Sequence, residues 1–389
     1  PYSIFAVKVL VPTLIVVAVL GVMRGFFQGL GTMMPSAVSQ ILEQIANAIV
    51  SVWAAYVLYN YGTKVGAVLG NAENYAAAYG AAGGTLGTGT GAVVGLLFAA
   101  FVLLAYLSVF KRQMKRERRA KVDSYSYIFK ILFITIIPVL MSTTIYNCNA
   151  ILDQAIFKNI ANLQGYSAND ISEWNGIYTG KYKTLINVPI SIASALAASS
   201  VPALTAAYTN GKKEAVRSQI NTAIRFIMVV AFPCAVGMGV LASPILQLLF
   251  RDSSELAASM LQLGAVSIVF FSLSTLSNGL LQGINRMREP VKNALIALVL
   301  HIGLLVVLMY AFQLNIYAVV YANAFFGLLM CVLNAYSVKK YSGYRQEIRR
   351  TFVIPGISAL IMGVAVYLSY QLACLLYTSP SPRDGLLSR

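Results

Sequence analysis

This sequence has few charged residues and few of the side chains on which most catalysis depends. Charged residues make up 11% of its 389 positions, against roughly 25% in a typical soluble domain. It has one histidine, and its four cysteines lie in or beside apolar runs without the spacing of a metal site. No nucleophile elbow or nucleotide-binding loop occurs. We therefore predict a protein that is not an enzyme, with no catalytic residue, no metal site and no bound cofactor.

Long apolar runs dominate the chain instead, and the mean hydropathy is +0.72. A run of about 20 apolar residues is long enough to cross the ~30 Å hydrocarbon core of a bilayer. The runs are continuously apolar rather than alternating, which favours helices over a membrane β-barrel. We predict an all-α polytopic membrane protein with ten spans, at residues 4–28, 36–60, 81–110, 127–152, 184–208, 219–250, 257–283, 291–312, 315–337 and 352–373.

The net charge is +16, and the basic residues that cause it are concentrated in every second connection between the predicted spans. Eighteen basic residues fall after the third, fifth, seventh and ninth predicted spans, seven of them in residues 111–121, and five fall in the alternate connections. This is the positive-inside pattern, so we predict that the basic connections are cytoplasmic. Weak attraction to anionic headgroups accounts for their charge, which makes membrane lipids and not nucleic acid the expected partners.

One short motif occurs twice, as "RGFFQGLGTMMP" at 24–35 and "NGLLQGINRMREP" at 278–290. The shared residues, each 254 positions apart, are Gly25, Gln28 and Gly29 in the first copy and Gly279, Gln282 and Gly283 in the second. Each copy ends a predicted span, and a proline, Pro35 or Pro290, opens the next span. Copies with the same membrane orientation predict a parallel repeat of two helical lobes around a central cavity, with these glycines and prolines as packing and hinge positions.

The first motif with its continuation, "RGFFQGLGTMMPSAVSQILEQ", resembles the stage V sporulation protein B group, and "ILDQAIF", "SSVPALTAAY" and "LLQGINRMREPVKNA" agree with it. That group belongs to the polysaccharide-exporter and lipid II flippase branch of the multidrug/oligosaccharidyl-lipid/polysaccharide exporter superfamily. The resemblance covers essentially residues 1–373 and implies helices four to thirteen of a fourteen-helix protein. On this basis we expect a natural protein that is longer at both ends.

The resemblance implies a flippase of the bacterial cytoplasmic membrane. Its expected substrate is an undecaprenyl-pyrophosphate-linked sugar or lipid II itself, moved by alternating access and coupled to an ion gradient or the membrane potential. We expect a monomer. The alternative within the superfamily is a cation-coupled multidrug exporter, and a more remote one is a membrane-embedded glycosyltransferase or polymerase.

Polar residues inside or beside the spans are candidates for a substrate cavity, because an unpartnered charge at a helix centre costs roughly 2.5–3.5 kcal/mol. The candidates are Arg24, Gln28, Gln40, Glu43, Gln44, Arg225, Lys181 and Lys183. Arg24 and Glu43 fit either a cavity or gating role or an ion pair between two helices. The two lysines either meet a substrate pyrophosphate or extend to the membrane interface.

Two other ionisable residues leave alternatives open. Asp153 follows the fourth predicted span, where a solvated helix end and a functional role both fit. His301 lies mid-span, and a hydrogen bond to a neighbour explains it more simply than a proton relay. The third span has a glycine at every fourth position, which favours close helix contact over a phosphate-binding loop, at Gly83, Gly87, Gly91 and Gly95.

The spans and charges together predict the organisation of the chain. Residues 1–110 form the C-terminal half of a first lobe with three helices, 111–126 a basic cytoplasmic linker, 127–338 a second lobe with six helices, and 352–373 an extra helix. Residues 374–389 resemble the translation of a transposase-type sequencing adapter, and we expect them to be foreign to the natural protein.

Overall fold

The computed structural model describes residues 3–116 and 123–378, and every regular element in these two ranges is helical. The chain divides into two compact units, residues 1–122 and 123–389. Within the described ranges, nine helices are long and apolar enough to cross a membrane. A tenth is counted if the bent pair Glu255–Gly264 and Ser267–Gly283 is one span. The prediction of an all-α, multi-pass membrane protein is confirmed.

The first unit consists of three long helices, α1 (Ser3–Gly29), α2 (Met34–Leu69) and α3 (Ala72–Arg116). Pro35 lies in the first turn of α2, as predicted, where its missing N–H is not needed. Gly70 ends α2 in the left-handed region, with a φ of 80°, and the chain turns directly into α3.

Small residues let α2 and α3 pack backbone against backbone. A Cβ atom built on Gly87 would lie 2.5 Å from the backbone nitrogen of Ser51, and one on Gly91 would lie 2.6 Å from the carbonyl oxygen of Glu43. Real Cβ atoms do not approach so closely. The predicted close helix contact along the glycine face of α3 is therefore confirmed.

The second unit contains ten helices within the described residues. They are α4 (Tyr125–Leu163), α5 (Ala168–Ile177), α6 (Lys183–Thr209), α7 (Lys213–Val240), α8 (Ala242–Phe250), α9 (Glu255–Gly264), α10 (Ser267–Gly283), α11 (Arg288–Tyr310), α12 (Asn315–Ser342) and α13 (Ile354–Thr378). A π-helical turn, Tyr178–Tyr182, joins α5 to α6, and a second, Arg349–Val353, leads into α13. Buried apolar side chains of α6, α7 and α10 form the centre of this unit, including Leu204, Ile227 and Leu280.

Five predicted spans differ clearly from the helices. The second was expected to end at residue 60, but α2 continues to Leu69. The third was expected to begin at residue 81, but α3 begins at Ala72 and continues to Arg116. The fourth was expected to end at residue 152, but α4 continues to Leu163. The sixth breaks at Leu241 into α7 and α8, just before Pro244, which has no N–H to donate to the preceding turn. The seventh bends by 46° between α9 and α10, where the Ser267 hydroxyl donates to the Gly264 carbonyl.

Large apolar side chains on the outside of the helices are widely exposed, for example Ile15, Trp53 and Leu360. Lipid tails are as apolar as leucine, so these faces suit a bilayer and not water. Of the predicted linker at 111–126, residues 117–122 lie outside the described residues. The same holds for residues 379–389 of the tail that we expect to be foreign, whereas α13 continues to Thr378.

Candidate functional site

Arg24 and Glu43 meet in the first unit and tie α1 to α2. The Nε atom of Arg24 donates to the Ser39 hydroxyl over 2.7 Å, and its Nη2 atom donates to Oε2 of Glu43 over 2.6 Å. Both charged side chains are mostly buried, with exposures of 16% and 20%. The sequence left two alternatives for these residues, a cavity or gating role and an ion pair between two helices. The structure shows that they form the ion pair.

The glycine face of α3 makes room for this pair. A Cβ atom on Gly95 would lie 3.3 Å from Nη2 of Arg24, so a larger residue would crowd the guanidinium. Among the described residues, Nη1 of Arg24 has no hydrogen-bond partner. One edge of the guanidinium is thus held by Ser39 and Glu43, while a second edge keeps donors for an anion.

The polar residues in the N-terminal half of α2 differ in their exposure. Glu43 and Asn47 are half-buried, and the Ser51 hydroxyl donates to the Asn47 side-chain oxygen over 2.8 Å. Gln40 and Gln44 are exposed on the first unit, as is Gln28 at the end of α1. Their assignment to a substrate cavity stays a prediction.

Lys181 and Lys183 lie where the π-helical turn enters α6. The Lys181 ammonium donates to Oδ2 of Asp252 over 2.5 Å, and this hydrogen bond lowers the pKa of the Asp252 carboxyl. Lys183 places its ammonium over the ring of Tyr178, 5.1 Å from the ring centre. Lys181 therefore already has an acidic partner, which lies 71 positions away in the sequence and was not foreseen.

Arg225 of α7 forms an ion pair with Glu347, in the connection between α12 and α13. Its Nε atom is buried and has no hydrogen-bond partner within the described part of the chain. Glu347 also lines an open cavity of about 750 Å³, together with the basic side chains Arg217, Lys339 and Arg345. The sequence predicted Arg225 as a cavity residue but missed its acidic partner.

A buried polar cluster occupies the interior of the second unit and corrects the interpretation of Asp153. This residue is 1% exposed and lies inside α4, so it is not a solvated helix end. Its Oδ1 atom is 2.5 Å from Nε2 of His301 in α11, and its Oδ2 atom accepts from Asn323 of α12 over 2.7 Å. Asn323 also donates to the Tyr178 hydroxyl over 2.9 Å.

The two copies of the repeated motif pack differently. A Cβ atom on Gly279 would lie 2.7 Å from that of Ala197, and one on Gly283 would lie 2.9 Å from the Leu204 side chain. Cβ atoms on Gly25 and Gly29 would meet no atom within 4 Å in the described structure. In the described structure the second copy thus lies in close contact with α6, and the packing and hinge roles of these glycines, with Pro35 and Pro290, stay predictions.

Residues 1–378 match the protein-family model described as lipid II flippase MurJ. The chain belongs to this family. It is 26% identical over 398 residues to the lipid II flippase MurJ of Bacillus subtilis (strain 168), covering 95% of this chain and 68% of that protein. It is 23% identical over 339 residues to the stage V sporulation protein B of the same organism, covering 87% of this chain and 61% of that protein. The resemblance found in the sequence is confirmed.

Solved structures show the same fold. A lipid II flippase MurJ in an inward closed conformation aligns with a TM-score of 0.56 at 16% identity, over 93% of this chain and 68% of that chain. An outward-facing multidrug resistance MATE family transporter of the MOP superfamily aligns with a TM-score of 0.66 at 16% identity, over 88% and 70%. At such identities the likeness concerns the fold alone. The chain thus spans roughly two thirds of the length of these MurJ and MATE proteins.

In this member of the MurJ family the candidate residues Arg24, Lys181 and Arg225 each have an acidic partner, and the sequence signal for such a pair is weak. Asp252 and Glu347 lie in short connections between helices. The sequence around them gives no sign that Asp252 pairs with Lys181 or that Glu347 pairs with Arg225, because the partners lie 71 and 122 positions apart. Within the described residues, no group of three or more His, Cys, Asp or Glu side chains is arranged to hold a metal ion.

Proposed function

We propose that the complete gene product is a flippase that moves a lipid-linked sugar of the lipid II type across the bacterial cytoplasmic membrane by alternating access. The match of residues 1–378 to the lipid II flippase MurJ family carries this proposal. Arg24 is the residue that we assign to the pyrophosphate. It lies within a membrane helix, Ser39 and Glu43 orient it, and it keeps donors for a phosphate oxygen.

The pairing of charges favours an anionic substrate over a cationic drug. Within the described membrane helices, the carboxylate of Glu43 is bound to Arg24 and that of Asp153 is bound to His301. A cation-coupled multidrug exporter needs a carboxylate that is free to receive a cation. The MATE family structure shares the fold at 16% identity, so drug export remains the alternative. Neither of these two carboxylates favours that alternative.

Reconstitution of the complete gene product in liposomes tests this function. We expect lipid II placed in one leaflet to become accessible to a membrane-impermeant reagent in the other leaflet much faster than in protein-free liposomes. In parallel, the efflux of a cationic dye from the same liposomes should stay at the protein-free rate. Dye efflux without translocation of lipid II would replace the proposal by the multidrug alternative.

The proposed orientation places the basic connections in the cytoplasm. We expect Lys115→Cys and Lys213→Cys, each in a variant of the complete gene product without its native cysteines, to resist an impermeant thiol reagent applied to intact cells. Asn169→Cys, in the exposed first turn of α5, should react under the same conditions. Permeabilised cells serve as the control, because all three cysteines should then react. The opposite labelling of intact cells would reverse the orientation.

A further inference from the structure

The open cavity of about 750 Å³ in the second unit is lined by basic side chains that have no acidic partner. They belong to α7, to α12 and to the connection that leads to α13, and they are Arg217, Lys339 and Arg345. Among the described residues, none of these three side chains forms an ion pair. The carboxylate of Glu347 lies in the same lining, but it is already bound to Arg225. The cavity therefore offers three positive charges without a counter-charge in contact with them.

The backbone holds Arg217 so that part of its guanidinium stays free. Its Nε atom donates to the carbonyl oxygen of Ser342 over 3.4 Å. A Cβ atom on Gly343 would lie 2.7 Å from Nη2, so the guanidinium occupies the place of a side chain at position 343. Within the described residues, Nη1 and Nη2 have no hydrogen-bond partner. A planar guanidinium with two free nitrogens can bind a phosphate group through two donors.

The position of the cavity favours a ligand from water over a membrane lipid. Arg217 lies in the second turn of α7, Lys339 lies in the last turn of α12, and Arg345 lies beyond that helix. These are the helix ends that the positive-inside pattern assigns to the cytoplasm. The lining that the structure describes contains no aliphatic side chain that could hold an acyl chain.

A second cavity, of about 480 Å³, adjoins the first and contains aromatic rings. Arg217 and Gly343 line both cavities, and the second is also lined by Tyr208 of α6 and Tyr341 of α12. The Tyr341 ring is covered by the guanidinium of Arg286, 4.5 Å from the ring centre. Tyr208 makes no ring contact among the described residues, so its ring can receive a ligand. Both volumes lie in the range of about 300–1,000 Å³ that is usual for small-molecule sites.

The two cavities together match one class of ligand. Cationic side chains bind phosphate oxygens, and three of them suit a group with several negative charges. An aromatic ring beside them suits a nucleobase, because every base can stack on such a ring. The sequence has no phosphate-binding loop, so side chains and not backbone N–H groups would hold the phosphates.

We propose that these two cavities form a binding site for a nucleoside di- or triphosphate. Arg217, Lys339 and Arg345 bind the phosphates, and Tyr208 stacks on the base. The bound nucleotide joins α6, α7 and α12 to the segment that enters α13. This binding does not depend on the proposed flippase function.

Binding of ADP and ATP to the complete gene product tests the site. The protein would be held in nanodiscs of phosphatidylcholine, which has no net charge, and titrated by calorimetry in a buffer without magnesium. We expect saturable binding and an unfolding temperature that rises with nucleotide concentration, because a ligand of the folded state stabilises it. Arg217→Ala/Lys339→Ala should weaken the binding by at least about tenfold, since it removes two charged donors.

Lys212→Ala is the matched control for loss of a positive charge. Lys212 is exposed and lines neither cavity, so this variant should bind ADP as the wild type does. Unfolding without ligand shows whether each variant is folded. If the double variant is not, Arg217→Lys keeps the charge without the planar fork and should still bind ADP more weakly than the wild type. Tyr208→Leu should weaken the binding of ADP and leave that of inorganic pyrophosphate unchanged.

Three results would overturn the proposal. The first is the absence of saturable nucleotide binding, and the second is an affinity that is the same in the wild type and in the folded Arg217 variants. The third is nucleotide binding that disappears when the nanodiscs contain phosphatidylglycerol, because the cavity would then belong to lipid headgroups. An unchanged affinity for ADP in Tyr208→Leu would overturn the assignment of the base to Tyr208.

Discussion

Arg24→Ala in the complete gene product is expected to lower the translocation of lipid II by about 10- to 150-fold, since hydrogen bonds to charged groups contribute about 1.5–3 kcal/mol. Arg24→Lys should keep part of the rate, because the charge remains but the planar fork that binds a phosphate through two donors does not. Initial translocation rates in liposomes, with equal amounts of folded protein, provide the measurement.

The ion pair with Glu43 requires its own control. Arg24→Ala alone leaves Glu43 without its cation in a half-buried position, so a loss of protein would mimic a loss of function. The double variant Arg24→Ala/Glu43→Ala removes both charges and should restore the protein level but not translocation. Glu43→Gln, which keeps Arg24 and an oxygen to receive its hydrogen bond, should still translocate. Full activity of the double variant would make Arg24 a structural residue and leave the pyrophosphate without this partner.

Gly87→Ala is expected to destabilise the first unit by about 1–3 kcal/mol, the usual cost of overpacking. The new Cβ atom would lie 2.0 Å from the Ser51 hydroxyl oxygen and 2.5 Å from the Ser51 backbone nitrogen. The hydroxyl can rotate away, but the backbone of α2 cannot move without separating from α3 along the whole glycine face. We expect a lower midpoint in thermal unfolding and a lower level of protein in the membrane.

Gly84→Ala is the matched control on the same helix. A Cβ atom at this position would meet no atom within 4 Å in the described structure, and alanine favours helix more than glycine does. The variant should unfold at or slightly above the wild-type temperature. Equal loss of stability in both variants would show that the cost comes from replacing glycine as such and not from contact between α2 and α3.

These two experiments concern connected features of the first unit. The glycines of α3 bring its backbone to within contact of Ser51 and of the Glu43 carbonyl, and the Glu43 side chain in turn holds Arg24. A change at Gly87 should therefore also reduce translocation, although it lies away from the charged pair.

Much of the fold could be predicted because a bilayer imposes strict rules on sequence. A membrane span must be apolar for about 20 residues, so the spans are visible without any knowledge of tertiary contacts. Proline and glycine act locally, and Pro35 and Gly70 lie at the beginning and end of α2 as their backbone preferences require. The glycine spacing of α3 likewise predicts a close helix contact, because few other functions explain small residues at every fourth position.

The Arg24–Glu43 ion pair was one of the alternatives open in the sequence. The partners of Lys181, Arg225 and Asp153 could not be predicted, because they lie 71 to 148 positions away in the sequence. Asp153 lies at the end of an apolar run, where a solvated helix end and a functional role both fitted the sequence, whereas α4 continues and buries it against His301, 148 positions away. The repeated motif shows the same limit: Gly25 and Gly279 occupy the same position of the motif, yet a Cβ atom on Gly279 would press against Ala197 whereas one on Gly25 would meet no atom within 4 Å in the described structure. The sequence by itself determined the apolar spans and the family. The tertiary structure decided which polar groups meet, because the cost of burying a charge is relieved by whichever partner the packing brings near.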